Sequence, residues 1–323
     1  MNKHTHLLIP LVALATGACS IDLGFEDADP RAGDRGVLAF RSEGCTSTTV
    51  MAVGASAQLT LEALDGAALP PDLTVDSSLP TVIDASTTGE GKEVLVEALS
   101  TGSTYLSVHQ MGRLLDGITL NAVPARSVKA RSVERVLRGG HADVVIDEVM
   151  GVCDGQVCEL FGSGFLSWRS EPSDAVTLAA EEGRVAGFTV AASGTLLGRE
   201  PARGADLVKV PIVAVAPDEV TGFSASIVAV LEDGGAMATL PLPATVPADA
   251  YLCLRLDAQH PDGDVPLSSR DVTWSFDGIA LDPIEGIREP LCTLIATGPA
   301  GQVTLRASSP LFSQQPSFEL RLE

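Results

Sequence analysis

At 323 residues the chain is long for one β-domain and suits two or three. Its residues are 45 % hydrophobic but only 4 % aromatic, so its cores must be built from Val, Leu, Ile and Ala. A net charge of −21 excludes nucleic acid as a partner and repels anionic lipid headgroups, so any membrane attachment requires an anchor rather than surface charge.

The first element is an export signal over residues 1–18. Lys3 supplies a positive charge, Leu7 to Ala15 form an apolar run broken by Pro10, and the small residues Thr16, Gly17 and Ala18 lead into Cys19. An apolar stretch of about 12 residues is too short to span a bilayer as a helix. A Cys directly after Gly-Ala resembles the lipobox of bacterial lipoproteins, with Thr16 standing where that family usually has Leu. The resemblance implies a diacylglycerol on the Cys19 thiol and acylation of the new amino terminus. Ser20 implies the outer membrane, by the sorting rule of enteric lipoproteins. The alternative is a secreted soluble protein with a Cys near its mature start. Residues 19–36 carry Glu26, Asp27, Asp29 and Asp34 beside Pro30, Gly33 and Gly36, the composition of a flexible acidic tether.

From residue 37 on, period-two alternation predicts strands. Leu59, Leu61 and Ala63 share one face; so do Val272, Trp274 and Phe276, then Val303, Leu305 and Ala307, then Phe318, Leu320 and Leu322. Asp-Gly pairs beginning at Asp65, Asp116, Asp154, Asp233, Asp262 and Asp277 predict hairpin turns. Helical periodicity is weak throughout, with only a brief stripe at Val133, Val136 and Leu137. The fold class is therefore all-β.

An approximate repeat runs through the body. Thr74 to Val82 is echoed by Ser167 to Val176 and, less fully, by Val272 to Phe276. Gly-led strands follow at Gly102 and Gly301, while the second repeat is less clear. These segments resemble the bacterial immunoglobulin-like domains of intimin and invasin adhesins, whose pattern is a strand ending in Trp-x-Ser, a Pro-x-x-Val turn, and a late Gly-led strand; the first repeat has Val75 in place of Trp, and the third lacks the Ser-x-x-Pro element. The resemblance implies tandem β-sandwiches, here 37–123, 124–217 and 218–323, and does not imply adhesion.

Cys153 and Cys158 flank an Asp-Gly turn at a separation that a hairpin disulfide can close. Cys253 and Cys292 flank Trp274, like the Cys-Trp-Cys order of antibody-type domains. Cys253 alternates with Leu252, Leu254 and Leu256, so it faces away from the leucine side, which argues against a buried inter-sheet bridge and leaves open one between neighbouring strands at the surface. Cys45 is left over, either free or displacing one of these pairings.

Catalytic patterns are weak. Gly162-Ser163-Gly164 lacks the outer glycines of a nucleophile elbow and reads as a turn. His141-Ala142-Asp143 reads as a surface turn before a strand, and Glu181-Glu182-Gly183 as a polar turn. His260-Pro261-Asp262-Gly263-Asp264 offers carboxylates but lacks the 12-residue Ca²⁺ loop pattern. Trp168 and Trp274 read as core rather than as sugar-stacking platforms, and the basic stretch Arg126, Lys129, Arg131, Arg135 and Arg138 as a linker with a solvated strand face. The expectation is a lipid-anchored envelope protein with no catalytic residues, cofactor or metal, attached to the membrane through its lipid and facing an envelope protein or polysaccharide. The rival is an exported Ca²⁺-dependent carbohydrate binder or hydrolase using the loops at the sandwich ends.

Overall fold

The computed structural model describes residues 31–42, 48–88, 91–229, 238–246, 251–276, 279–280, 292–296 and 299–323. Cys19, Cys45, the export signal and the Asp-Gly pairs at 233 and 277 lie outside them. Two compact units divide the body, one spanning Asp27–Ala214 and one containing Val215–Glu323. Among the described residues no helix is long and apolar enough to cross a membrane.

The first unit opens with β1 (Arg31–Ala32), β2 (Leu38–Ser42) and β3 (Val50–Ala52). There follow β4 (Ser56–Ala63), β5 (Leu73–Ser77), β6 (Ile83–Thr88), β7 (Glu93–Ala98), β8 (Gly102–Gln110) and β9 (Arg113–Val123). One sheet has the order β1-β2-β4-β7-β6 and its partner β3-β9-β8-β5. Alternation explains the pairing of layers. In β7, Val94, Val96 and Ala98 are buried while Glu93, Leu95 and Glu97 are exposed. Leu59, Leu61, Ile83, Leu106 and Leu120 complete the core, each contributing about 1.5–3 kcal/mol by burial.

The second sandwich has β10 (Ser127–Ser132), β11 (Arg135–Leu137), β12 (His141–Cys153), β13 (Gln156–Glu159) and β14 (Ser167–Glu171). It continues with β15 (Val176–Glu182), β16 (Val185–Val190), β17 (Gly194–Glu200) and β18 (Ala205–Val215). Its sheets run β10-β12-β16-β15, with β13 also on β12, and β11-β18-β17-β14. Val144, Ile146, Phe188, Leu196 and Ile212 fill the space between them.

The other unit holds a 3-10 turn at Pro217–Glu219, then β19 (Gly222–Ala229), β20 (Ala238–Pro241), β21 (Ala244–Val246), β22 (Tyr251–Gln259) and β23 (Val265–Pro266). After them come β24 (Thr273–Phe276), β25 (Ile279–Ala280), β26 (Thr293–Ala296), β27 (Gly301–Ser308) and β28 (Ser317–Leu322). One sheet is β20-β19-β22-β23 with β26 also on β22, and the other is β21-β28-β27-β24-β25. The body is thus a tandem of immunoglobulin-like β-sandwiches.

The repeat has a structural basis. β5, β14 and β24 are equivalent strands, and each pairs with a Gly-led strand: β8, β17 and β27. The Gly-led strand of the second repeat begins at Gly194. The Ser that ends the motif closes the following turn. Ser77 Oγ donates to the Ile83 carbonyl at 2.6 Å, and Ser170 Oγ lies 2.8 Å from the Pro172 carbonyl and 2.7 Å from that of Ser173.

Candidate functional site

Of the flexible acidic tether expected at 19–36, residues 31–36 are held against the first sandwich. Arg31–Ala32 pairs with β2, and residues 33–38 wrap around the side chain of Asp116. The Asp116-Gly117 pair is likewise not a turn: it lies inside β9, and the hairpin turn joining β8 to β9 is Met111-Gly112, with φ of 49° and 74°. The Asp116 carboxylate is fully buried. Its Oδ1 accepts the N–H groups of Arg35 and Gly117 and its Oδ2 those of Val37 and Leu38, all at 2.8 Å. Burial pushes its pKa up, but the four backbone donors together pull it below the usual carboxylate value. The Arg35 guanidinium donates to the Leu114 carbonyl at 2.9 Å, and the Asp34 N–H to that of Gly117 at 2.8 Å. Nearby, the Tyr105 phenol is shifted upward by burial first and then by the charges of Asp34 and Asp116. This latch is the point where the chain arriving from the amino terminus is fastened to the first sandwich.

A second constellation involves the Gly162-Ser163-Gly164 segment. Ser163 exchanges backbone hydrogen bonds with Ser56, N–H to carbonyl in both directions at 2.9 Å, and its Oγ lies 3.5 Å from the Ser56 carbonyl. A nucleophile elbow needs a sharp strand-to-helix turn that exposes its Ser. Here the segment is strapped against the first sandwich; Gly162 serves close approach to Ala55, and Gly164 supplies a positive φ of 76°.

The remaining candidates are spread over the fold. His141 begins β12 opposite Thr189, and Asp143 is buried on the same strand. His260 Nδ1 accepts the Asp262 N–H at 3.1 Å and its carbonyl accepts the Gly263 N–H at 3.0 Å, so the imidazole organises a turn whose carboxylates are exposed. Next to it Asp257 is buried and raised in pKa by that burial, partly offset by Arg255, whose Nε donates at 2.7 Å. Glu181 and Glu182 end β15 at the tight turn into β16. Among the described residues no group of three or more His, Cys, Asp or Glu is placed to hold a metal ion.

Trp274 is buried, with its ring centroid 6.3 Å from that of Phe318. Trp168 packs edge-on against Phe188 at 5.2 Å and covers Gly198, where an added Cβ would meet the indole at 2.8 Å. Both rings therefore serve the cores. The basic stretch is partly neutralised across the β10–β12 pair, Lys129 against Glu148 at 3.1 Å and Arg131 against Asp147 at 2.7 Å. A cavity of about 240 Å³ lies among Pro217, Asp218, Phe223, Leu311, Phe312 and Gln314, smaller than most small-molecule sites.

Cys153 and Cys158 are joined across a hairpin whose turn, Asp154-Gly155, has φ of 50° and 83°; their Cα atoms are 5.8 Å apart. Cys253 and Cys292 are joined with Cα atoms 5.4 Å apart. Cys253 lies in β22 and Cys292 directly precedes β26, the neighbour of β22 in one sheet; Leu252, Leu254 and Leu256 are buried on the face opposite Cys253, and Cys292 is itself buried rather than at the surface.

No family model matches the chain, and no curated protein matches it. Among solved structures it is similar to domains 4–9 of the surface layer protein SbsC, at 16 % identity and a TM-score of 0.29, over 88 % of this chain and 47 % of that one. It is similar to invasin, a bacterial integrin-binding protein, at 13 % identity and a TM-score of 0.24, over 90 % of this chain and 60 % of that one. It is also similar to the Yersinia pseudotuberculosis adhesin InvE, at 13 % identity and a TM-score of 0.20, over 90 % and 62 % of the two chains. The chain thus spans about half to three fifths of these proteins, and at such values the likeness carries no functional argument.

Proposed function

We propose that this protein is held in the cell envelope by lipid on Cys19, and that its sandwiches form a non-catalytic spacer or interaction module. The observation that carries the reading is the run Lys3, Leu7 to Ala15 and Thr16-Gly17-Ala18 leading directly into Cys19. Several acyl chains on one residue anchor far more firmly than a single chain. Supporting the non-catalytic half, Ser163, His260 and the two tryptophans are engaged in straps, turns and cores. The partner class is an envelope protein or polysaccharide, approached by a strongly acidic surface, and the outer membrane is the compartment that Ser20 favours. Detergent phase partitioning of the exported protein tests the anchor. Wild type is expected in the Triton X-114 phase and Cys19→Ser in the aqueous phase; wild type found in the aqueous phase would remove the lipid from the account.

A further inference from the structure

The first two sandwiches exchange core residues. Phe161 follows β13 of the second sandwich, yet its side chain is 1 % exposed within the core of the first. Conversely Ala52 and Ala55, from the first sandwich, are fully buried in the core of the second. The backbone shows how this arises. The Leu160 N–H bonds to the Val149 carbonyl at 2.8 Å, and the Leu160 carbonyl accepts the Arg184 guanidinium at 3.0 Å, both within the second sandwich. One residue on, the Phe161 N–H bonds to the Val50 carbonyl at 2.9 Å and the Phe161 carbonyl accepts the Ala52 N–H at 3.2 Å, both within the first. Successive side chains of an extended segment point to opposite faces, so Leu160 enters one core and Phe161 the other. Phe165 then returns to the second core.

Glycine is required at the crossing. Gly162 has φ of +98°, and a Cβ there would meet the Ala55 Cβ at 2.7 Å. Thr48 Oγ1 donates to the Glu159 carbonyl at 3.0 Å, extending the seam by one more residue.

We infer that residues 159–165 are a segment donated by the second sandwich to an acceptor site at Val50–Ser56 of the first, through bridges at Phe161 and Ser163, and that the first sandwich is complete only with this segment in place. The partner that the β3 edge fits is a Phe-Gly-Ser-Gly segment, taken by main-chain pairing plus one deep aromatic pocket. It follows that the unit containing both sandwiches opens cooperatively rather than as two beads on a string.

Hydrogen exchange of the full chain, read by mass spectrometry, tests this. Peptides covering β7 and β16 report one sandwich each. Ile212→Val, a mild change confined to the second core, is expected to lower protection of both peptides by the same factor, about fivefold. Loss of protection in β16 with β7 unchanged would overturn the inference. Phe161→Ala and Gly162→Val provide the complementary arm. Each is expected to lower protection in β7 although the altered residue is supplied by the second sandwich, and an effect restricted to β16 would likewise overturn it.

Discussion

Replacing Asp116 by Asn changes no side-chain volume and removes one acceptor oxygen from the latch. Two of the four backbone donors, one pair out of Arg35/Gly117 and Val37/Leu38, would then face an amide NH₂. A hydrogen bond to a charged group contributes about 1.5–3 kcal/mol, so two lost bonds set an upper range of about 3–6 kcal/mol. Removing a buried charge offsets part of that, and residues 33–37 can peel away instead of staying unpaired. The expected local loss is therefore about 3 kcal/mol, or roughly a hundredfold drop in amide protection for the Leu38–Ser42 peptide at pH 7. The pH dependence has a defined sign. Because the folded carboxyl lies below its unfolded value of about 3.9, its stabilisation is complete above that value and disappears as pH falls through the folded one. Wild type should thus approach Asp116→Asn on acidification. A variant with unchanged protection at pH 7, or a gap that does not narrow in acid, would refute the latch.

The other predictions follow the same geometry. Gly33→Ala places a Cβ inside contact distance of the Asp116 carboxylate and should open the same peptide to exchange without altering any charge. Met111→Asn, at a position with φ of 49°, should stabilise the β8–β9 hairpin by about 0.5–1 kcal/mol in urea unfolding, because Asn tolerates the left-handed conformation that Met resists. Gly198→Val should cost about 1–3 kcal/mol and shift the fluorescence of Trp168, whose ring occupies the space a side chain would need. Cys253→Ser with Cys292→Ser closes a loop of sequence separation 39 no longer, and should cost about 4 kcal/mol; Cys153→Ser with Cys158→Ser, separation 5, should cost about 2 kcal/mol or less by the chain-entropy relation.

The parts of the fold legible from the sequence are those set by local rules. Period-two alternation located β4, β27 and β28 because one face of each is buried. The Val75-Asp76-Ser77 and Trp168-Arg169-Ser170 segments were legible because the Ser closes a turn only a few residues away. What escaped was fixed by distant partners. Asp116-Gly117 has the composition of a turn, but its carboxylate is committed to N–H groups some 80 residues earlier in the chain, at Arg35, Val37 and Leu38. Gly162-Ser163-Gly164 has the composition of a turn for the same reason: Gly162 answers to Ala55 and Ser163 to Ser56, and nothing adjacent in sequence signals them. A buried Phe on each side, Phe161 and Phe165, was the available hint that this segment enters a core. Gly194 was missed as the second Gly-led strand because Ser193 and Gly194 follow a run of small alanines that blurs the strand start.

The lipid on Cys19 is the premise on which the envelope placement rests, and the intact mass of the exported protein measures it directly. The account predicts a chain beginning at Cys19 that carries diacylglycerol and an amino-terminal acyl group, with neither increment in Cys19→Ala. An exported wild-type protein of unmodified mass would contradict it.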